Sequence, residues 1–205
     1  MVRLLVLFAG LGCETLTCMV RADFTGVFDL LEGREFGRPL GVRPCLTPSS
    51  MHTLAEGLQA VPPGPVFCSM VDTVMPDAQW REVYSATARG LAGGADVMLA
   101  VTPFVDDESP LYVSTDGAGL ALVLSDEPLA PVRVTGGVYG FSVAARQAAA
   151  EAVGQGVQRM RGFLKWLVAR GNRVGTITVP RIIDIDHESD LRLANAWLGS
   201  PEAPG

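Results

Sequence analysis

The sequence predicts an α/β protein: a three-layer α/β/α sandwich with a mixed, mostly parallel sheet covered by helices on both faces. Three observations point there. Short apolar runs of strand length alternate with stretches whose apolar residues recur at helical spacing. Hydrophobic residues make up 48% of the 205 and charged residues 19%, which supplies a core and excludes disorder. The length fits a single domain, assigned to residues 1–198, with 199–205 as a flexible tail.

Charge and cysteine usage narrow the function classes. With 16 basic against 22 acidic residues the net charge is −6, which argues against a general nucleic-acid or anionic-membrane surface. No apolar run reaches the roughly 18 residues of a membrane span. Met1–Gly12 lacks the basic start and small-residue cleavage site of a secretory signal, so a cytoplasmic protein is expected. Cys13, Cys18, Cys45 and Cys68 contain no C-x-x-C pair, and the two histidines, His52 and His187, are far apart in sequence. A structural zinc site is not expected, and the thiols read as small apolar residues in a reducing compartment.

Each element has its own signal. Leu4–Phe8 allows a buried strand followed by a phosphate turn at Gly10-Leu11-Gly12, or a helix over Val2–Gly12. Cys13-Glu14-Thr15-Leu16 continues neither G-x-G-x-x-G nor G-x-x-x-x-G-K-[ST], so the helix fits better, with a strand at Thr15–Val20. Ser49 or Ser50 caps a helix with the stripe Met51, Leu54, Ala55, Leu58 and Val61, stopped by Pro62-Pro63. Val66–Val71 reads as a strand buried on both faces and ends in Asp72. Pro76-Asp77 opens a helix carrying Trp80, Val83, Tyr84, Thr87, Ala88 and Leu91, closed by Gly93-Gly94, and Asp96–Thr102 is the next strand. Leu111–Ser114 and Leu120–Ser125 flank Thr115–Gly119 as a hairpin. Arg133–Ser142 is a glycine-bearing strand, followed by helices over Val143–Val153 and Val157–Arg170. Arg173–Val179 and Ile182–Ile185 are extended, and Glu188–Leu198 is a last helix.

In such sheets ligands sit at the carboxyl ends of strands, which draws attention to Asp72. An ordinary loop aspartate or a cap for the Pro76 helix is the competing reading. Asp184 and Asp186 alternate on an extended segment and so share a side, which suits a hard cation such as Mg²⁺; capping of the last helix by Asp186 or His187 is the alternative. Gly136-Gly137 inside a strand pattern implies close approach of a ligand or of a neighbouring strand. Ser50 and His52 lie in a helix's first turn, where an anion can bind. Arg159 and Arg161 are either phosphate contacts or solvated helix positions, and Asp106-Asp107-Glu108 reads as a solvated loop.

In their order and spacing, VDTVMP, AVTPFVDDESPLYV, TGGVYGF, RMRGFLKWLV and IDIDHESDLRLANAWL resemble the nucleotidyltransferase family, in its sugar-phosphate and molybdenum-cofactor-type NTP transferase branch. The similarity runs from about Leu4 to Leu198 and implies the nucleotide-diphospho-sugar transferase fold. It further implies Mg²⁺- or Mn²⁺-dependent transfer of a nucleotidyl group from an NTP to a phosphorylated small molecule, with pyrophosphate leaving. Asp72 and Asp184 match the family's metal-binding catalytic aspartates, with Asp186 sharing that role, and Gly136 and Gly137 match glycines that let the acceptor approach. The family's opening strand, its G-x-G-x-R loop and its Pro-Lys pair have no counterpart, and the single lysine is Lys165. The resemblance therefore implies weak binding of NTPs by this chain, and in-frame codons upstream of Met1 that encode the strand and loop.

Two other readings stay open. One is a non-catalytic relative that keeps the fold as a binding or partner protein. The other, a nucleotide-sugar-dependent glycosyltransferase, is disfavoured because Asp72 is not part of a D-x-D triplet. A sheet edge left open by a missing strand would favour homo-oligomers.

Overall fold

In a computed structural model, residues 1–105 and 109–199 are described. The order is α1 (Val2–Gly10), β1 (Leu16–Arg21), α2 (Thr25–Leu31), β2 (Leu40–Cys45), α3 (Ser50–Ala60), β3 (Val66–Ser69), β4 (Thr73–Val74), α4 (Asp77–Ala92) and β5 (Val97–Thr102). It continues with β6 (Tyr112–Thr115), β7 (Ala121–Ser125), β8 (Val134–Phe141), α5 (Val143–Gly154), α6 (Met160–Ala169), β9 (Val174–Thr178), β10 (Ile183–Asp184) and α7 (Glu188–Gly199).

The main sheet runs β7-β6-β8-β5-β9, with β3 also paired to β8. The long strand β8 organises it. One edge of β8 pairs with β5 over most of its length; the other pairs with β3 at Val138–Phe141 and with β6 at Val134. Helices α3, α5 and α6 bury Met51, Leu58, Ala145, Ala149, Phe163 and Leu164 against one face, around Leu99, Tyr139 and Phe141. Trp80 and Val83 of α4, with Leu4 and Phe8 of α1, cover the other, around Ala100 and Val138. This is the three-layer arrangement expected. The guanidinium of Arg146 on α5 donates to the carbonyls of Leu58, Val61, Pro62 and Gly64, which fastens the end of α3 and the turn into β3.

The sheet is mixed. β1–β2 and β5–β9 are parallel, and β3, β5, β6 and β9 share one direction; β8 runs against β3, β5 and β6, and β7 returns antiparallel to β6 in the hairpin. One correction concerns β3, which stops at Ser69. It is half-buried rather than covered on both faces, and Met70 and Val71 beyond it are exposed. Among the described residues its only strand partner is β8, so its outer edge lacks a neighbouring strand to bury it. The second helix of the pair after β8 starts at Met160, not Val157, with Arg159 at its N-cap.

Helix α1 and strand β1 form where expected. Strand β2 and the short helix α2 were not anticipated. Arg43 and Pro44 interrupt the apolar pattern of β2, which tolerates the proline because it pairs on one edge only. All four cysteines are free thiols. Residues 200–205 of the expected tail, and the acidic cluster at 106–108, lie outside the described residues.

Candidate active site

Asp72 and Asp184, 112 positions apart in sequence, are brought together by the smallest sheet. Strand β4 pairs antiparallel with β10, placing Asp184 opposite Thr73 and Ile183 opposite Val74. The ladder extends one step further, since the Ile185 N–H donates to the Asp72 carbonyl at 3.2 Å. The buried Thr73 hydroxyl donates to Asp184 Oδ1 at 2.9 Å and fixes that carboxylate. Sequence reading missed Thr73; its adjacency to Asp72 is a signal only once the β4–β10 pairing is known.

Burial raises the Asp72 carboxyl above the usual carboxylate range, and the negative charge of Asp186 raises it further. Asp184 and Asp186 both line a cavity with Thr102, Phe104, Thr135, Gly136 and Ile182. Asp186 does not cap α7. Asp190 does so instead, its Oδ2 accepting from the Asp186 and His187 N–H groups at 3.1 and 2.7 Å, which leaves the Asp186 side chain available to the cavity. Among the described residues, no group of three His, Cys, Asp or Glu side chains is placed to hold a metal by itself.

The glycine pair has a structural explanation. Opposite β5 the register slips between Leu99 and Val101, so that Gly136, Gly137 and Val138 form a bulge across from Ala100. Gly137 has φ +70°, and a Cβ there would stand 2.5 Å from Thr73 Oγ1. A Cβ on Gly136 would collide with Ile182. The close approach is made by the chain's own Thr73 and Ile182, while Gly136 still contributes backbone to the cavity wall.

The α3 terminus is self-contained. Ser49 caps it, its Oγ accepting from the His52 N–H and lying 2.7 Å from His52 Nδ1, so the cap is Ser49 and not Ser50. The cavity is lined by neither Ser50 nor His52. Arg161 donates to the Ser109 carbonyl and to Asp126, and Lys165 pairs with Asp126 at 2.6 Å, which commits both to the hairpin. Burial pushes the Cys68 thiol up to about 11 and raises the Tyr139 hydroxyl too, so neither is a nucleophile at neutral pH. Among the described residues, no helix is long and apolar enough to cross a membrane.

No family model and no curated protein matches the sequence. Solved structures do match the fold. An inositol-1-phosphate CTP transferase from T. maritima is 14% identical with a TM-score of 0.70, over 91% of this chain and 78% of that one. The fold is that of the nucleotidyltransferases. A nucleoside-diphosphate-sugar pyrophosphorylase from Vibrio cholerae RC9 superposes with a TM-score of 0.67 at 16% identity, over 95% of this chain and 84% of that one. A Bacillus anthracis protein assigned as a glucose-1-phosphate thymidylyltransferase gives 0.78 at 12% identity, over 98% and 82%. The nucleotide-diphospho-sugar transferase-like architecture is therefore common to all three and to this chain.

Proposed function

We propose that this chain transfers a nucleotidyl group from an NTP to a phosphorylated small molecule, at the junction of β4, β10 and the bulge of β8. The observation that supports this reading is the β4–β10 ladder, which sets Asp72 next to the Thr73–Asp184 pair in a nucleotidyltransferase fold, while Asp184 and Asp186 line the cavity and Asp72 does not. An acceptor phosphate is already anionic, so no base–nucleophile pair is required. Its oxygen attacks the α-phosphorus, the bond to the bridging oxygen of the β-phosphate breaks, and pyrophosphate leaves. The protein's part is to orient the acceptor and exclude water.

The donor set fits Mg²⁺ or Mn²⁺: hard carboxylate oxygens, too few for a complete cage, as expected of an ion that takes one or two carboxylates and fills its shell with substrate oxygens and water. Asp72 and Asp184 would hold it, and Asp186, which shares the cavity wall with Asp184, would add negative charge and not a third ligand. Bound there, such an ion neutralises charge on the phosphates. Thr73 keeps Asp184 oriented. The four free thiols, none of them exposed, and the net charge of −6 support a cytoplasmic setting and small-molecule rather than nucleic-acid partners.

A second reading, a non-catalytic relative, is favoured by one observation. The single lysine is tied to Asp126 on the hairpin and leaves the carboxylates without an ammonium beside them. Incubation with Mg²⁺, each NTP and a panel of sugar 1-phosphates separates the two. Pyrophosphate release that Asp72→Asn and Asp184→Asn each lower by at least about 100-fold, the scale of a lost transition-state charge contact, supports transfer. Absent release with every pair favours the relative.

A further inference from the structure

Behind two residues of the cavity wall, Phe104 and Ile182, stands a cation that the proposed transfer has not used. Thr102, 2% exposed at the end of β5, joins two segments through one hydroxyl: it donates to the Pro180 carbonyl at 3.2 Å and accepts from the Phe104 N–H at 3.1 Å. That pin sets Phe104 against the next residue after Pro180, Arg181. The Arg181 guanidinium carbon lies 4.3 Å from the Phe104 ring centroid and 5.5 Å from that of Trp197 on α7. Phe104, whose ring faces this arginine, and Ile182, its neighbour in sequence, both line the cavity.

A guanidinium held by ring faces keeps its N–H donors in the plane, where they remain available for a planar or tetrahedral anion. Among the described residues, Arg181 has neither a carboxylate partner nor a side-chain hydrogen bond, in contrast to Arg3, Arg21, Arg161 and Arg192, which are all paired. The cavity beside it carries Asp184 and Asp186. A cation that has no carboxylate partner among the described residues, fixed on aromatic faces beside a cavity that carries two carboxylates, has a ready use: it lets an anionic ligand enter a site that would otherwise repel it.

We propose that Arg181, stacked on Phe104 and Trp197, is the receptor for the anionic group of the acceptor, and so selects a phosphorylated over a neutral small molecule. This rests on the reading of the cavity as the acceptor side of a transferase. The requirement is geometric as well as electrostatic, so lysine in its place should restore little: an ammonium keeps the charge but not the stacked, forked donors.

The test is an equilibrium titration of the ¹⁵N-labelled full chain with inorganic phosphate, without nucleotide or metal. Saturable shifts are expected at the Phe104, Ile182 and Ile183 amides, weakened at least tenfold in Arg181→Gln and nearly as much in Arg181→Lys, with dispersed spectra reporting intact folds. Trp197→Leu, which keeps the charge and removes one ring, should weaken binding to a smaller extent. Phosphate binding equal in wild type and Arg181→Gln, or no saturable shift at those amides, would overturn the proposal. Neither result touches pyrophosphate release or its dependence on Asp72, so the transferase reading can stand if this one falls.

Discussion

Strands β5 and β1 have the same length and similar apolar content, yet they sit in regions of very different completeness. All six residues of β5, VMLAVT, are buried, because β8 and β9 pair with its edges and helices cover both faces. In β1, LTCMVR, only Leu16 and Val20 are buried, and β2 is its sole strand partner among the described residues. The core under β1 is correspondingly small: Leu5, Leu16 and Leu31 form its buried centre. A strand's own residues set its capacity for burial, and its neighbours decide how much of that capacity is used. The candidate active site is built on the complete region, from β4, β8 and β10.

The largest expected effect comes from truncating the complete region. Phe141, fully buried between Tyr139 and Phe163, should lose about 3–5 kcal/mol on change to alanine, and Leu16→Ala only about 2 kcal/mol, in urea unfolding curves. Equal losses would remove the contrast between the regions. Next comes the bulge. Gly137→Ala combines a left-handed backbone with a Cβ against Thr73 Oγ1, and should cost about 2–3 kcal/mol. It should also disturb the Asp184 carboxylate that Thr73 holds, unlike Gly154→Ala on the exposed end of α5, where a Cβ meets nothing. A Gly137→Ala variant as stable as wild type would mean that the bulge relaxes freely.

The smallest effect concerns Asp72. Its carboxyl titrates higher in the folded chain than in the unfolded one, whose value is about 3.9. The ionised form is therefore disfavoured by folding, and this destabilisation is complete above the folded value and absent below the unfolded one. Asp72→Asn should accordingly melt slightly above wild type at pH 7 in metal-free buffer, with the difference fading towards pH 3.5. A lower melting temperature at pH 7 would show that the carboxylate is a structural partner instead.

Most of the fold was legible because long segments with one dominant period state their own type: α4, α5, β5 and the β6–β7 hairpin lie close to their sequence boundaries. What was not legible depends on pairing. The direction of β8, the open edge of β3 and the existence of β2 are set by neighbours remote in sequence. The site shows the same division. Asp72 and Asp184 stand out as strand-end carboxylates, and the Gly136-Gly137 step announces a close approach. That Thr73 and Ile182 make this approach, and that Thr102 pins Phe104 near Arg181, follows only from the β4–β10 ladder and the bulge.

The account's central claim is that β4 and β10 bring Asp72 and Asp184 into one cation site. The most direct measurement is the rise in melting temperature on adding Mn²⁺ to wild type, Asp72→Asn, Asp184→Asn and the double variant. A cation that binds only the folded chain stabilises it by RT ln(1 + [Mn²⁺]/Kd), so the rise grows with the concentration added. The account predicts a rise in wild type that either single substitution abolishes, with no further loss in the double variant. A Mn²⁺-dependent rise of undiminished size in both single variants would contradict it.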